Sequence, residues 1–223
     1  ELHIHTDTNT CTSLIINALL HDQFAAWAVV GAFGDNLYDA ADRLAQRAGI
    51  DSEARETLKR LGTLMNYNGY GFTLDDLVYH PAELYRRVSS FEHPLEFVNT
   101  DAFTVLDEAY QQDMANTTNL EPVREQDNGA VFILPNEAWA RRANGDFSNY
   151  LARTYRARAH AVLVDCGKHC YRVSVRAPLD NKTGADELCR QFDGGGGRQA
   201  AAGINQLPET ELDRFYARFF DAF

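Results

Sequence analysis

Apolar and polar positions follow two different rhythms along this chain, and the change falls near residue 128. Before it, apolar residues recur mostly at helical spacing; after it they come in short runs and alternations that predict strands. Thr12-Ser13 precedes Leu14–Leu20, a helix in which the hydroxyls either cap the first turn or contact a ligand. Phe24–Phe33 is almost free of polar residues and predicts a buried element ending at Gly34-Asp35-Asn36. Asp39–Gly49 predicts a helix with Gly49 at its C′ position, and Asp51-Ser52-Glu53 opens another through Leu64. Met65–Gly71 reads as an aromatic, amide-rich turn, either a packed loop or the lining of a base or sugar pocket. Leu74–Val88 continues as helix broken at His80-Pro81, and Phe103–Met114 is a further helix.

The polar stretch 116–128 is where a domain boundary is expected. Beyond it Ala130–Leu134 and Ala161–Val164 predict buried strands, and Asn149–Arg158 a basic helix carrying Arg153, Arg156 and Arg158. Tyr171–Arg176 alternates, with Arg172, Ser174 and Arg176 on one face and Tyr171, Val173 and Val175 on the other. Gly184–Phe192 and Glu209–Phe223 predict helices on either side of Asp193-Gly194-Gly195-Gly196-Gly197-Arg198-Gln199-Ala200-Ala201-Ala202-Gly203.

That glycine-rich stretch is the most unusual in the chain. Glycines reach positive φ freely, so successive N–H groups can form a concave anion site, to which a following helix would add its dipole. Arg198 at its mouth can hold a phosphate in bidentate fashion. A flexible linker is the plain alternative, but a linker rarely runs straight into Arg-Gln-Ala-Ala-Ala-Gly.

Charge sharpens the division. The 223 residues hold 21 Lys+Arg against 32 Asp+Glu, a net charge of −11. Residues 1–127 carry 8 basic and 21 acidic residues, residues 128–223 carry 13 and 11. An acidic half and a mildly basic half suit cation handling and phosphate handling, and so acidic a chain is a poor general duplex binder. No apolar run approaches the ~18 residues that span a bilayer, and the first residues lack a signal-peptide core. Four cysteines are too few for a disulfide scaffold. Cys166 and Cys170 flank Gly167-Lys168-His169 in a hairpin turn with no second pair to complete a zinc site, and a reducing cytoplasm is the expected compartment.

Gly195-Gly196-Gly197-Arg198 with Ala201-Ala202-Gly203 resembles the Gly-Gly-Gly-His-x-x-Ala-Ala-Gly signature of the DHHA1 domain, the substrate-binding half of DHH-family phosphoesterases. Arg198 stands where that family usually has His; it can bind phosphate but cannot donate a proton at neutral pH. Val173-Ser174-Val175-Arg176 is similar to the family's Val-Ser-x-Arg strand, whose Arg faces the phosphate. Cys11-Thr12-Ser13 followed by the apolar run to Gly34-Asp35 is similar to the segment that supplies a late metal ligand, although Asp35 would equally cap the next helix. The family's Asp-x-Asp and Asp-His-His motifs are not in this sequence; His3, His5 and Asp7 are ligand-type residues at another spacing.

The resemblance implies an α/β chain made of three parts. Residues 1–90 would be the C-terminal part of a DHH-type metal-binding domain, 91–127 a helical connector, and 128–223 a DHHA1-type substrate domain. It implies a phosphoesterase acting on nucleotides or short oligonucleotides through two metal ions, Mn²⁺ in type, with the centre incomplete in this chain. Asp35 would bind metal, and Ser174, Arg176, Gly195, Gly196, Gly197 and Arg198 would bind substrate. Expected partners are a nucleotide or short single-stranded oligonucleotide and a second copy of the chain in a homodimer, with no membrane. The other reading is a non-catalytic nucleotide- or RNA-end-binding module. An acyl-group transferase, with the glycine turn around a coenzyme pyrophosphate, fits less well because those glycines follow a helix.

Overall fold

The computed structural model describes residue 7 and residues 9–223. Its described residues divide into two compact units, one of those up to 69 together with 77–111, the other of 70–76 and 112–223. The first is helical: α1 (Thr12–Leu19), α2 (Ala25–Gly34), α3 (Tyr38–Arg47), α4 (Ser52–Tyr67), α5 (Pro81–Val88), α6 (Pro94–Phe97) and most of α7 (Asp101–Ala115). The predicted buried element is α2, apolar all round because neighbours cover it on several sides. Val29, Val30, Ala32 and Phe33 pack with Leu58, Leu61 and Leu64 of α4, Leu44 of α3, Phe97 and Leu106. α2 and α4 meet backbone to backbone, since a Cβ at Gly62 would lie 2.3 Å from the Val30 carbonyl oxygen.

The helix-end expectations divide. Asp51 caps α4, its carboxylate accepting from Ala54 N at 2.9 Å, and Gly49 has the left-handed φ of +70° expected past α3. Thr12 and Ser13 do not cap α1: the N-cap is Cys11 without a side-chain bond, and Ser13 instead lies against Gly31. Asp35 does not cap α3 either, whose N-cap is Leu37; it sits at the C-terminal end of α2. Leu74–Val88 is not one broken helix but a 3₁₀ turn (Leu74–Asp76) and, separately, α5. At Met65–Gly71 the first three residues extend α4; Tyr67 is buried against Tyr110 and the Asn68 amide bonds both backbone groups of Tyr79. Those two residues are packing, not pocket lining.

The second unit is built on a six-stranded sheet: β1 (Arg124–Gln126), β2 (Gly129–Leu134), β3 (Ala159–Asp165), β4 (Cys170–Arg176), β5 (Gly195–Arg198) and β6 (Ala201–Pro208). Their order is β1-β2-β3-β4-β6-β5; β2 and β3 are parallel and every other neighbouring pair is antiparallel. The parallel pair needs a crossover, supplied by α8 (Ala138–Thr154). α8 packs Ala140, Phe147 and Leu151 against Phe132, Val162 and Val164 on one face of the sheet. α9 (Ala185–Cys189) and α10 (Leu212–Ala222) cover the other face through Leu188, Phe215 and Phe219, against Val173, Val175, Ala202 and Ile204. The mixed α/β class is the one expected from the sequence.

Three expectations in this unit are corrected. The basic helix begins at Ala138, eleven residues before Asn149, and ends at Thr154, so Arg156 and Arg158 lie beyond it. The glycine stretch is not a turn leading into a helix: Gly195–Arg198 forms an edge strand that turns back into β6. Finally, Cys166 and Cys170 are joined as a disulfide across the β3–β4 hairpin. Gly167, Lys168 and His169 all take left-handed φ values of 55–72°, which curls the loop until the two Cα atoms are 5.7 Å apart, within bridging range.

Candidate functional site

Residues directly opposite one another in adjacent strands share a face. On the α8 side of the sheet one row runs His160, Arg176, Ala201, Arg198 across β3, β4, β6 and β5. The next row runs Val162, Ser174, Gly203, Gly196, and the one after it places Arg172 beside Val164. All six substrate-site residues nominated from the resemblance can be sorted on this pattern alone. Ser174, Arg176, Gly196 and Arg198 lie on one face, whereas Gly195 and Gly197 are aligned with the buried residues Ile204 and Ala202 and turn the other way.

The small residues make room between the charged ones. A Cβ on Gly196 would meet nothing within 4 Å, so this part of the face is open. Gly195 and Gly197 are glycine for packing: a Cβ would come within 1.9 Å of the Cys189 carbonyl oxygen or 2.5 Å of Ala202 Cα, and Gly197 also has φ +147°. The Gly195 N–H donates to the Phe192 carbonyl at 3.0 Å and is thereby engaged within the protein.

Side chains from α8 hold the site residues. Arg176 Nε donates to Asn149 Oδ1 at 2.9 Å, and Asn144 Nδ2 donates to Ser174 Oγ at 2.9 Å. With its oxygen accepting from Asn144, the Ser174 hydroxyl keeps its own proton to donate. Burial lowers Arg176 from the ordinary arginine range; the Tyr70 phenol and the Asp146 carboxylate oppose this, and the like charge of Arg198 adds to it. Arg176 stays cationic throughout the neutral range. Arg198 is exposed and has no carboxylate partner among the described residues. Arg176, held by Asn149, and Arg198, on the same row with β6 between them, present guanidinium donors with the Ser174 hydroxyl on one face, groups whose chemistry suits a phosphate.

Several of these groups were not nominated from the sequence. Asn144 and Asn149 belong to a helix whose first half was not read as one, because Asn144-Gly145-Asp146 looks like a turn. The segment 70–76 also packs on this unit. Asp76 is buried and accepts from Arg141 at 2.9 and 2.7 Å and from the backbone N–H groups of Phe72 and Thr73. The Arg141 bonds chiefly, helped by those N–H groups against the cost of burial, hold its carboxyl at about 2. Phe72 lies under the Arg172 guanidinium, 4.1 Å from ring centroid to Cζ. The Arg141-Arg142 doublet was the available signal, since Arg142 likewise pairs with buried Asp113 at 2.7 Å.

The metal expectation concerns Asp35 in a centre incomplete in this chain. Asp35 is exposed, and among the described residues no three His, Cys, Asp or Glu side chains gather as a metal-binding group. Asp7 is exposed, with its carboxylate accepting from Asn9 N; His3 and His5 lie outside the described residues. The described residues therefore do not fit a two-metal centre. Among them, no helix is long and apolar enough to cross a membrane.

No protein-family model and no curated protein matches the chain. Among solved structures it is similar to a pGpG-specific phosphodiesterase, PggH, from Vibrio cholerae. That likeness has a TM-score of 0.50 at 12% identity and covers 82% of this chain and 74% of the other. The fold is shared. An exopolyphosphatase-related protein from Bacteroides fragilis matches at 20% identity and a TM-score of 0.41, over 83% of this chain and 56% of its own length. At these identities the likeness concerns the fold, and the chemistry has to be argued from the site.

Proposed function

We propose that this chain holds the phosphate of a nucleotide or short single-stranded oligonucleotide on the β4–β6–β5 face, and that this binding serves phosphoester hydrolysis. One observation carries the reading: Ser174, Arg176 and Arg198 converge on a glycine-floored face with Arg198 unpaired among the described residues. Arg176, fixed by Asn149, would set the phosphate's position; Arg198 would close on it; and Ser174 would donate a hydrogen bond. The shared fold with a pGpG-specific phosphodiesterase supports a nucleotide-type substrate, as do the Gly195–Gly203 and Val173–Arg176 motifs. Arg198 in place of His removes a proton donor, so the role argued here for it is binding.

In the family that the sequence resembles, metal ions, of the Mn²⁺ type, activate the attacking water. Asp35 would supply one carboxylate to such a centre; among the described residues no three ligand-type side chains gather to hold a metal ion. The same observation favours a second reading, in which the chain binds nucleotide ends without cutting them. Incubating the protein with pGpG and short RNA oligomers at added Mn²⁺, with binding and product measured in parallel, separates the two. Metal-dependent release of mononucleotide supports the hydrolase; tight binding without product supports the binding module; neither binding nor product removes both.

A further inference from the structure

We infer that the Tyr70 hydroxyl is a further substrate contact on this face, donating a hydrogen bond to the phosphate held by Arg176 and Arg198. The inference rests on the substrate-binding reading above. Tyr70 reaches the site because residues 70–76, although flanked in sequence by residues of the helical unit, pack with the sheet unit. The segment is fixed there by Asp76, through Arg141 and two backbone N–H groups, and by Arg142, which donates to the Asp76 carbonyl at 2.7 Å.

The orientation of the ring follows from Gly145. A Cβ at that position would lie 2.6, 2.8 and 2.9 Å from Tyr70 Cζ, Cε1 and Cε2. These are the atoms at the hydroxyl end, so that end of the phenol rests on the α8 backbone. Gly145 follows Asn144, which holds Ser174, and lies four residues before Asn149, which holds Arg176. The phenol is thereby set between the two anchoring contacts of the site, near enough to Arg176 to favour its charged form. Tyr70 is only half-buried, and its hydroxyl has no hydrogen-bond partner among the described residues. A tyrosine hydroxyl placed this way ordinarily finds a partner, and an incoming phosphate oxygen would supply it.

The test compares Tyr70→Phe, which keeps the ring on Gly145 and removes only the hydroxyl, with Arg198→Ala. Affinities for pGpG and for GpG, which lacks the 5′-phosphate, are measured by titration calorimetry alongside thermal unfolding. Tyr70→Phe is expected to weaken pGpG binding about tenfold, to narrow the preference for pGpG over GpG, and to leave the unfolding midpoint unchanged. Gly145→Ala, which displaces the ring, should reproduce the loss. If Arg198→Ala weakens pGpG binding and Tyr70→Phe does not, the Tyr70 contact is overturned while the binding face stands. If neither weakens it, the binding face itself is wrong.

Discussion

His160 provides a sharp test of the interior beside the proposed phosphate-binding face. It is the β3 neighbour of Arg176, is fully buried, and neither ring nitrogen has a hydrogen-bond partner. Burial, assisted by the Arg158 charge and opposed by Glu125, pushes its pKa down to about 4 from an ordinary 6.5. The native state therefore resists a proton that the unfolded state accepts, and unfolding takes up protons as pH falls. Stability linked to this group is complete above 6.5 and is lost progressively toward 4. With those two values, lowering the pH from 7 to 5 costs about 2 kcal/mol from His160 alone. Urea unfolding of the wild type and of His160→Leu at both pH values isolates this contribution, because the other titrating groups are common to both proteins. The wild type should lose about 2 kcal/mol more than the variant over that interval. Parallel losses would show that His160 is not held neutral, and the burial argument would fail.

Two further predictions concern the architecture. Gly195→Ala should destabilise the protein by more than ~1 kcal/mol, because its Cβ would collide with the Cys189 carbonyl, while Gly196→Ala should leave the unfolding midpoint nearly unchanged. A bulkier Gly196→Leu, extending into the open face, should fold and yet bind pGpG more weakly; full affinity in that variant would contradict the assignment of the face. Asp76→Asn, leaving half-buried Arg141 charged without its carboxylate, should cost ~2–3 kcal/mol in denaturant unfolding, and a loss below ~1 kcal/mol would show that the 70–76 segment is not anchored as described.

What could be read in advance was what local pattern determines. The alternation at Tyr171–Arg176 assigned Val173 and Val175 to the core and Ser174 and Arg176 to the other face, and the strand does this. The apolar run before Gly34 marked α2, and Asp51 marked the start of α4. What escaped the reading depended on partners far along the chain. Four glycines have little strand propensity, and Gly195–Arg198 is a strand because it pairs with Ala201–Ile204. Asn144-Gly145-Asp146 has turn composition, yet it is helical and buried where Asn144 meets Ser174 and Gly145 accommodates the Tyr70 ring. Residues 70–76 look like a connector from their own composition, and their attachment to α8 rests on charge pairs formed across 65 positions of sequence. The candidate site was thus half legible: its charged residues could be named, and Tyr70 fell in a stretch read as either packed loop or pocket lining, but the asparagines of α8 that hold Ser174 and Arg176 were not named.

The most direct test of the binding face is calorimetric titration of pGpG into the wild type, Arg198→Ala and Arg190→Ala. Arg190→Ala removes an equal charge from the C-terminal end of α9, on the opposite side of the sheet, where Arg190 pairs with Asp186. The account predicts that Arg198→Ala weakens binding by about ten- to a hundredfold, the value of one charged hydrogen-bonding group, with Arg190→Ala and the unfolding midpoints unchanged. Equal affinities in all three proteins, or equal losses in both variants, would contradict it.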